Sequence, residues 1–407
     1  MHARNALDEV LLRSRLIVCC GSGGVGKTTT SAALALMAAL AGRKALVLTI
    51  DPAQRLLQAL GLHGSELAAN TPLEVLPKMA PDLLDALLLP DGRLASGGTL
   101  HAMMLDAESG AIAMVERLLP DPTLRDQVLG NRVYRAFLPT LAASPDYIAL
   151  ELIHSLLRDE RFDLLILDTP PMHNAMDFLQ AGGTLSSFLN ERVLKWFARV
   201  PLPNQKSRFS FLNTGSSMAM TVLGKLFGSE TLPDIAQFFS SFQEVLPRLR
   251  DRANETDRLL RSPNTSFLVV TAPGETSLRE ARHLYGVLRE QAMPFRGFIV
   301  NRVLQVPDAL VGQALDASTQ ALTARLLRAG GTPKSAQDLA MRMATAARRL
   351  GDLERADADH IDALRVLAGR AGFCSVAPQR EQDLHSLTEL VGLGRVLLDG
   401  VEPAMVP

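Results

Sequence analysis

The chain has 407 residues, of which 47% are hydrophobic and 21% are charged, a balance typical of a globular protein that buries a large core. Lysine and arginine number 42 against 43 aspartates and glutamates, which gives a formal net charge of −1. Because there is no basic field, and only one tryptophan and three tyrosines, the sequence argues against a nucleic-acid partner.

Cysteine usage and the N-terminus indicate the compartment. Cys19, Cys20 and Cys374 form an odd set without a CxxC pair, which favours a reducing environment. The N-terminal residues carry charges throughout and do not resemble a signal peptide. No apolar run reaches the length of a membrane span. We therefore expect a cytoplasmic protein with at most peripheral membrane contact.

The first 50 residues predict a βαβ unit. Apolar runs at 16–20 and 45–50 predict strands, and they flank a glycine loop and an Ala- and Leu-rich helix at 28–41. Helical patterns separate the later apolar runs, so we predict an α/β fold with a mostly parallel sheet flanked by helices. The later predicted strands are Leu164–Leu167, Phe267–Thr271, Gly297–Val300 and Phe373–Val376.

The glycine loop carries the strongest functional signal. Residues 21–28, GSGGVGKT, match the phosphate-loop pattern G-x-x-x-x-G-K-[ST] between a predicted strand and a predicted helix. Backbone N–H groups of such a loop point at phosphate oxygens, while Lys27 would bridge the β- and γ-phosphates and Thr28 would offer its hydroxyl to Mg²⁺. ATP and Mg²⁺ are therefore the predicted ligands. The predicted nucleotide-binding residues of the loop are Gly23, Gly24, Val25, Gly26, Lys27, Thr28 and Thr29.

Two aspartates follow predicted strands and would lie at the same sheet edge. Asp168 ends the run LLILD and is the candidate that supports Mg²⁺ through water; its alternative is a turn residue before Thr169. Asp51 follows the second strand and could hold or deprotonate the attacking water. Its alternative is a helix N-cap before Pro52.

Four segments together resemble the ArsA family, which includes arsenite-pump ATPases and the ATPases that target tail-anchored membrane proteins. These segments are 21–30, 48–61, 168–179 and 298–302, and the resemblance is strongest to bacterial members with one ATPase domain. It implies a deviant phosphate loop, a switch I aspartate at Asp51 and a switch II at 168–172. It also implies that Asn301 contacts adenine and that a loop at 376–387 packs Pro378 against the base.

The periodicity of the longer segments sets the expected domain organisation. Stretches at about 80–160 and 185–260 show Leu/Met/Ala periodicity and few strand signals, so they predict helical insertions forming a second lobe. No internal repeat is visible. Residues 1–407 are thus expected to form a single ATPase domain.

Two departures from the family pattern bear on function. The family usually has a lysine at the second loop position, which reaches the partner's nucleotide across a dimer, whereas this chain has Ser22. Hydrolysis by a homodimer could then be slow, the chain could pair with a related ATPase subunit, or Arg55 could substitute. The cysteines and the eight histidines show no zinc or arsenite spacing, so neither a structural metal nor an arsenite role is expected.

A hydrophobic client is suggested by apolar, Met-rich segments. Residues 218–227 form a helix pattern that is apolar around most of its circumference, and Met103, Met104 and Met114 add to this composition. Buried core is the alternative reading. The sequence thus predicts a dimeric ATPase switch that couples nucleotide state to a client or partner; the alternative is a weakly catalytic subunit of a heterodimer. A partitioning ATPase would require a membrane-targeting tail or a basic face, and the sequence shows neither.

Overall fold

A computed structural model describes the protein over most of its core. It covers residues 6–50, 55–62, 70–75, 98–119, 121–131, 134–135, 145–170, 247–248, 251–306, 312–330, 332–370, 372–380 and 382–399. Within these ranges no helix is long and apolar enough to cross a membrane.

An eight-stranded sheet forms the centre of the described fold, in the order β3-β4-β2-β5-β1-β6-β7-β8. Neighbouring strands are parallel, except that β3 runs antiparallel to β4. This arrangement confirms the predicted α/β class. The strands are β1 (Leu16–Cys20), β2 (Lys44–Thr49), β3 (Leu73–Glu74), β4 (Thr99–Met104), β5 (Leu164–Asp168), β6 (Thr265–Thr271), β7 (Phe295–Val303) and β8 (Phe373–Pro378).

Helices pack on both faces of the sheet and create two apolar layers. Alternation along β1 places Leu16 and Val18 in one layer and Ile17 and Cys19 in the other. Because both faces are covered, the central strands are apolar over most of their length, and their polar residues lie at the strand ends. The helices are α1 (Ala6–Arg13), α2 (Lys27–Leu40), α3 (Arg55–Ala59), α4 (Ala107–Leu118), α5 (Pro122–Gly130), α6 (Pro145–Arg158), α7 (Glu275–Glu290), α8 (Gly312–Arg328), α9 (Pro333–Ala368) and α10 (Leu387–Asp399).

The interval 80–160 is not helical throughout, which corrects the expectation for that insertion. Strand β4 lies within it and pairs with β2 along its whole length, from Lys44 opposite Thr99 to Thr49 opposite Met104. The sequence TLHAMM is poor in β-branched residues, so tertiary pairing rather than local propensity makes it a strand. Of the second interval, 185–260, the described part comprises only 247–248 and 251–260, which are helical.

Helices α8 and α9 form a long antiparallel hairpin between β7 and β8. Thr332 caps α9 by accepting a hydrogen bond from the N–H of Ser335, and Pro333 occupies the first turn. The C-terminal half of α9 is hydrogen-bonded to the loop that follows β7. Asp357 accepts a hydrogen bond from the N–H of Leu304 (3.1 Å), and Glu354 accepts one from the N–H of Val306 (3.0 Å).

A polar network joins α4, α6 and the helical residues 251–260. Glu151 is buried and forms a two-contact ion pair with Arg117. Nearby, Nη1 of Arg252 donates to Nδ1 of His154 (2.7 Å), and Nε2 of His154 lies 3.1 Å from a carboxylate oxygen of Glu255. Since a guanidinium can only donate, Nδ1 accepts and the His154 imidazole is neutral with its proton on Nε2.

This geometry makes stability depend on pH. Burial, reinforced by the guanidinium of Arg252, lowers the pKa of His154, so the unfolded chain takes up the proton first, near pH 6.5. The free energy of unfolding should therefore fall as pH drops below about 6.5. Urea titrations at a series of pH values around and below 6.5 measure this dependence. His154→Gln should reduce the change in the free energy of unfolding with pH, and His283→Gln, at an exposed position, should not. An unchanged slope in His154→Gln would contradict the assignment.

Candidate functional site

The phosphate loop occupies the turn between β1 and α2. Gly24 and Gly26 have positive φ angles of 77° and 91°, a left-handed backbone that favours glycine. At Gly26 a Cβ would also lie 2.2 Å from Nδ2 of Asn301. The loop therefore closes tightly over α2, whose N-terminal N–H groups face the cavity in front of it.

Lys27 places a buried cation inside this loop. Its ammonium donates a hydrogen bond to the backbone carbonyl of Ser22 at 2.7 Å, so the loop curls around the positive charge. The Lys27 side chain is largely shielded from solvent, and it lines a cavity of about 360 Å³. A cation next to converging backbone N–H groups suits polyphosphate.

Asp168 lies beside the loop because β5 pairs with β1 and β2. Its carboxylate oxygen Oδ2 accepts hydrogen bonds from the hydroxyls of Thr28 (2.6 Å) and Thr49 (3.1 Å). Asp168 is 1% exposed. A hydroxyl and a carboxylate side by side form the oxygen donor set that Mg²⁺ prefers, so these residues fit the ion.

Asn301 and Pro378 lie on the far side of the loop. Asn301 follows the buried part of β7, and its Nδ2 donates to the carbonyl of Val25 at 3.0 Å. Both residues line a second cavity of about 270 Å³. The two cavities share Gly26, Thr29, Arg302, Asp383 and Leu384, so they adjoin each other at the loop.

The structure brings most predicted site residues together. Gly23, Gly24, Gly26, Lys27, Thr28 and Thr29 line the first cavity, and Arg55 at the start of α3 lines it as well. The Val25 side chain instead packs in the core. Asp51 and the segment after Pro170, which includes residues 171 and 172 of the expected switch II, lie outside the described residues.

Two residues of the site were not identified from the sequence. Thr49 is the last residue of β2, in register with Asp168, so a hydroxyl at that strand end was the available signal. Arg302 lines both cavities and has a left-handed φ of 62°. Non-glycine residues held in this region often occur at ligand sites, but a sequence does not display φ.

The three cysteines do not converge. Cys19 and Cys20 point into opposite apolar layers of the sheet, as predicted from their adjacency. Cys374 is on β8, three strands from β1, which corresponds to about 14 Å. Burial raises the pKa of Cys19 to about 12 and that of Cys374 to about 11, so these thiols stay protonated at neutral pH. They therefore cannot act jointly as thiolate ligands.

The methionines of the first predicted insertion pack into or against the hydrophobic core. Met103 lies in β4 with no exposed surface, and Met114 is 3% exposed on α4. Met104 is partly buried and packs against the apolar layer on the other face of the sheet. These three do not contribute to an open groove, and the Met-rich residues 218–227 lie outside the described part of the chain.

Comparison with known proteins agrees with this geometry. The ArsA family, described as anion-transporting ATPase, matches residues 14–75 and 98–321. ATPase GET3B of Arabidopsis thaliana is 26% identical over 70% of this chain and 63% of its own length. ATPase ASNA1 homolog 1 of Paramecium tetraurelia is 25% identical over 74% of this chain and 78% of its own length.

A third relative comes from a bacterium. Putative arsenical pump-driving ATPase 1 of Aquifex aeolicus (strain VF5) is 23% identical over 74% of this chain and 65% of its own length. The chain thus spans slightly less than two thirds of two of these relatives. Because the family match extends over well more than half of the sequence, the chain belongs to the ArsA family of anion-transporting ATPases.

Proposed function

We propose that the protein is a dimeric ATPase switch whose nucleotide state controls its binding of a hydrophobic client or a partner. The observation that carries the proposal is the contact between Thr28 and Asp168 at 2.6 Å, beside the buried ammonium of Lys27. This is an arrangement for holding a metal-bound triphosphate. Membership of an ATPase family supports the same reaction class.

Each residue has a distinct task in this mechanism. Lys27 and the loop N–H groups bind the phosphates, and Thr28 and Asp168 are the residues that would hold Mg²⁺. The bound ion supplies positive charge to the phosphate oxygens. Asp51 orients a water molecule that attacks the γ-phosphorus while the bond to the β,γ-bridging oxygen breaks, so that ADP leaves. Asn301 and Pro378 face the base.

The proposed client is apolar rather than an arsenic species. The relatives include a protein named as driving an arsenical pump. In this chain, however, Cys19 and Cys20 are buried in opposite layers, and Cys374, which was expected to be buried, is partly buried three strands away, which argues against arsenite capture. The same free thiols favour a reducing compartment, and the proposal places the protein in the cytoplasm.

Steady-state ATP hydrolysis with Mg²⁺, combined with light scattering, tests the proposal. The wild type should hydrolyse ATP and form a dimer when ATP is bound, and Asp51→Asn should abolish turnover while retaining binding. Tight nucleotide binding without any turnover would refute the catalytic part. A monomer in every nucleotide state would refute the dimeric switch.

Ser22 favours a second candidate, a weakly catalytic subunit of a heterodimer with a related ATPase. In this structure Ser22 contributes its backbone carbonyl to Lys27 and provides no cation. A cationic side chain that a partner subunit supplies to such a site increases kcat by a factor of about 10³ to 10⁵. A strong increase in the ATP hydrolysis rate of the isolated Ser22→Lys variant would support the heterodimer. A symmetric homodimer that is fully active, and whose rate Ser22→Lys does not change, would contradict it.

A further inference from the structure

The hairpin of α8 and α9 carries all the exposed large apolar side chains of the described chain. Clusters of exposed apolar surface on a protein with an otherwise buried core mark interaction sites. The nucleotide cavities lie elsewhere, at the ends of β1, β5 and β7. The exposed side chains on the hairpin are Leu327, Leu339, Met341, Met343, Leu350, Leu353 and Val366.

Part of this surface forms a regular seam along α9. Leu339, Met343, Ala346, Leu350 and Leu353 follow one another at spacings of four, three, four and three residues. This 3.5-residue repeat is the pattern by which one helix presents apolar side chains to another. The large members are 39% to 57% exposed. The seam is about 21 Å long, enough for three turns or more of a partner helix.

The seam is not used in packing the hairpin itself. A separate row of alanines, Ala336, Ala340, Ala344 and Ala347, is buried in the outer part of α9. Ala340 and Ala344 share a groove with residues of α8, so this row marks the side of α9 that faces α8. In the heptad repeat that the seam defines, Ala340 and Ala347 lie along one side of the seam, and both are buried.

The open flank of the seam is basic. Arg342 and Arg349 each precede a seam residue by one position, the place from which heptad side chains reach a partner helix. Between residues 325 and 354 the sequence has six arginines and lysines against three acids, although the whole chain has a net charge of −1. One of these acids, Asp338, forms an exposed ion pair with Arg342 at 2.9 Å, whereas no ion pair is seen for Arg349 among the described residues. A complementary partner must therefore carry carboxylates beside its own apolar residues.

We propose that this seam docks an amphipathic helix of a partner protein, with a leucine-type apolar stripe flanked by glutamates or aspartates. The inference goes beyond the ATPase switch, because it concerns a surface outside the nucleotide cavities. Apolar contact supplies the attraction, and the arginines select the charge of the partner.

A second copy of this chain fits the seam poorly. In an antiparallel pair the flanking arginines of the two copies would face one another, and like charges across such a seam repel. In a parallel pair they would face the covered alanines, which offer no carboxylate. A lipid surface is also a poorer match, since interfacial helices present a wider apolar face than this narrow stripe.

A designed peptide of about four heptads, with leucine at positions a and d and glutamate at e and g, is the probe. Fluorescence anisotropy with the full-length protein should show saturable binding. Arg342→Glu/Arg349→Glu should weaken it by about tenfold, since two attractive flanking pairs become repulsive. The same variant should instead bind a peptide with lysine at e and g. Leu350→Gln/Leu353→Gln should weaken binding of the glutamate peptide and, when combined with the charge reversal, binding of the lysine peptide.

Lys334→Glu/Arg355→Glu is the matched control. It makes the same change in net charge on the same helix, but both positions face away from the seam, so affinity for the glutamate peptide should be retained. Circular dichroism verifies that all variants remain helical. The proposal is overturned if charge reversal at 342 and 349 leaves affinity unchanged. It is equally overturned if the seam variants abolish self-association or binding to phosphatidylserine vesicles and not peptide binding.

Discussion

Asp168→Asn is expected to lower kcat for Mg²⁺-dependent ATP hydrolysis by about 10²- to 10³-fold. The buried carboxylate accepts the hydroxyls of Thr28 and Thr49 through one oxygen, so it fixes the threonine that would hold the ion and adds the negative charge that attracts it. An amide keeps the shape and removes the charge. The Mg²⁺ concentration needed for half-maximal rate should therefore rise, while the melting temperature serves to check the fold.

Asp163→Asn provides the control for this measurement. Asp163 lies just before the opposite end of the same strand and forms an ion pair with Arg43 at 3.0 Å near the surface. Its replacement should leave both kcat and the Mg²⁺ requirement close to those of the wild type. Equal losses in the two variants would mean that the effect of Asp168 is structural rather than local to the ion.

Arg117→Met is expected to destabilise the folded protein by about 3 kcal/mol. Glu151 is 2% exposed, and removal of its partner leaves a buried carboxylate without a countercharge. Equilibrium unfolding in urea measures the loss. Arg117→Met/Glu151→Met should recover much of it, because well-packed apolar side chains replace a buried ion pair at little cost.

The surface pair between Glu9 and Arg13 supplies the comparison. Its side chains are 55% and 80% exposed, so Arg13→Met should change stability by less than about 0.5 kcal/mol. A double variant at 117 and 151 that is no more stable than the single one would show that packing, and not the uncompensated charge, causes the loss.

The parts of the nucleotide site that consist of consecutive residues could be predicted from the sequence. The loop 21–28 and the strand that ends in Asp168 are local patterns, and parallel pairing of their strands brings them together. Thr49 and Arg302 escaped prediction because their roles depend on register and on backbone conformation. Asp51 has the sequence context of a catalytic residue and remains a proposal.

The sheet itself was predictable except where tertiary pairing overrides propensity. Strand β1 and the central part of β6, with the sequence FLVV, are uninterrupted apolar runs, which identifies them. Strand β4 contains His101 and two methionines, and it is stabilised by pairing with β2 rather than by residues that favour strands. The 3.5-residue repeat on α9 was not identified from the sequence, and its exposure is a property of the folded chain alone.

The attachment of α9 to the loop after β7 makes that helix a lever arm. Asp357 accepts a hydrogen bond from the N–H of Leu304, which lies three residues beyond Asn301. The attachment point of α9 is therefore close to Asn301, the residue that is hydrogen-bonded to Val25 of the phosphate loop. From Asp357 to Pro333 the helix runs about 36 Å, and a tilt of about 10° at this attachment point displaces its far end by about 6 Å. A tilt of this kind on nucleotide binding would therefore move the proposed docking seam by several ångströms.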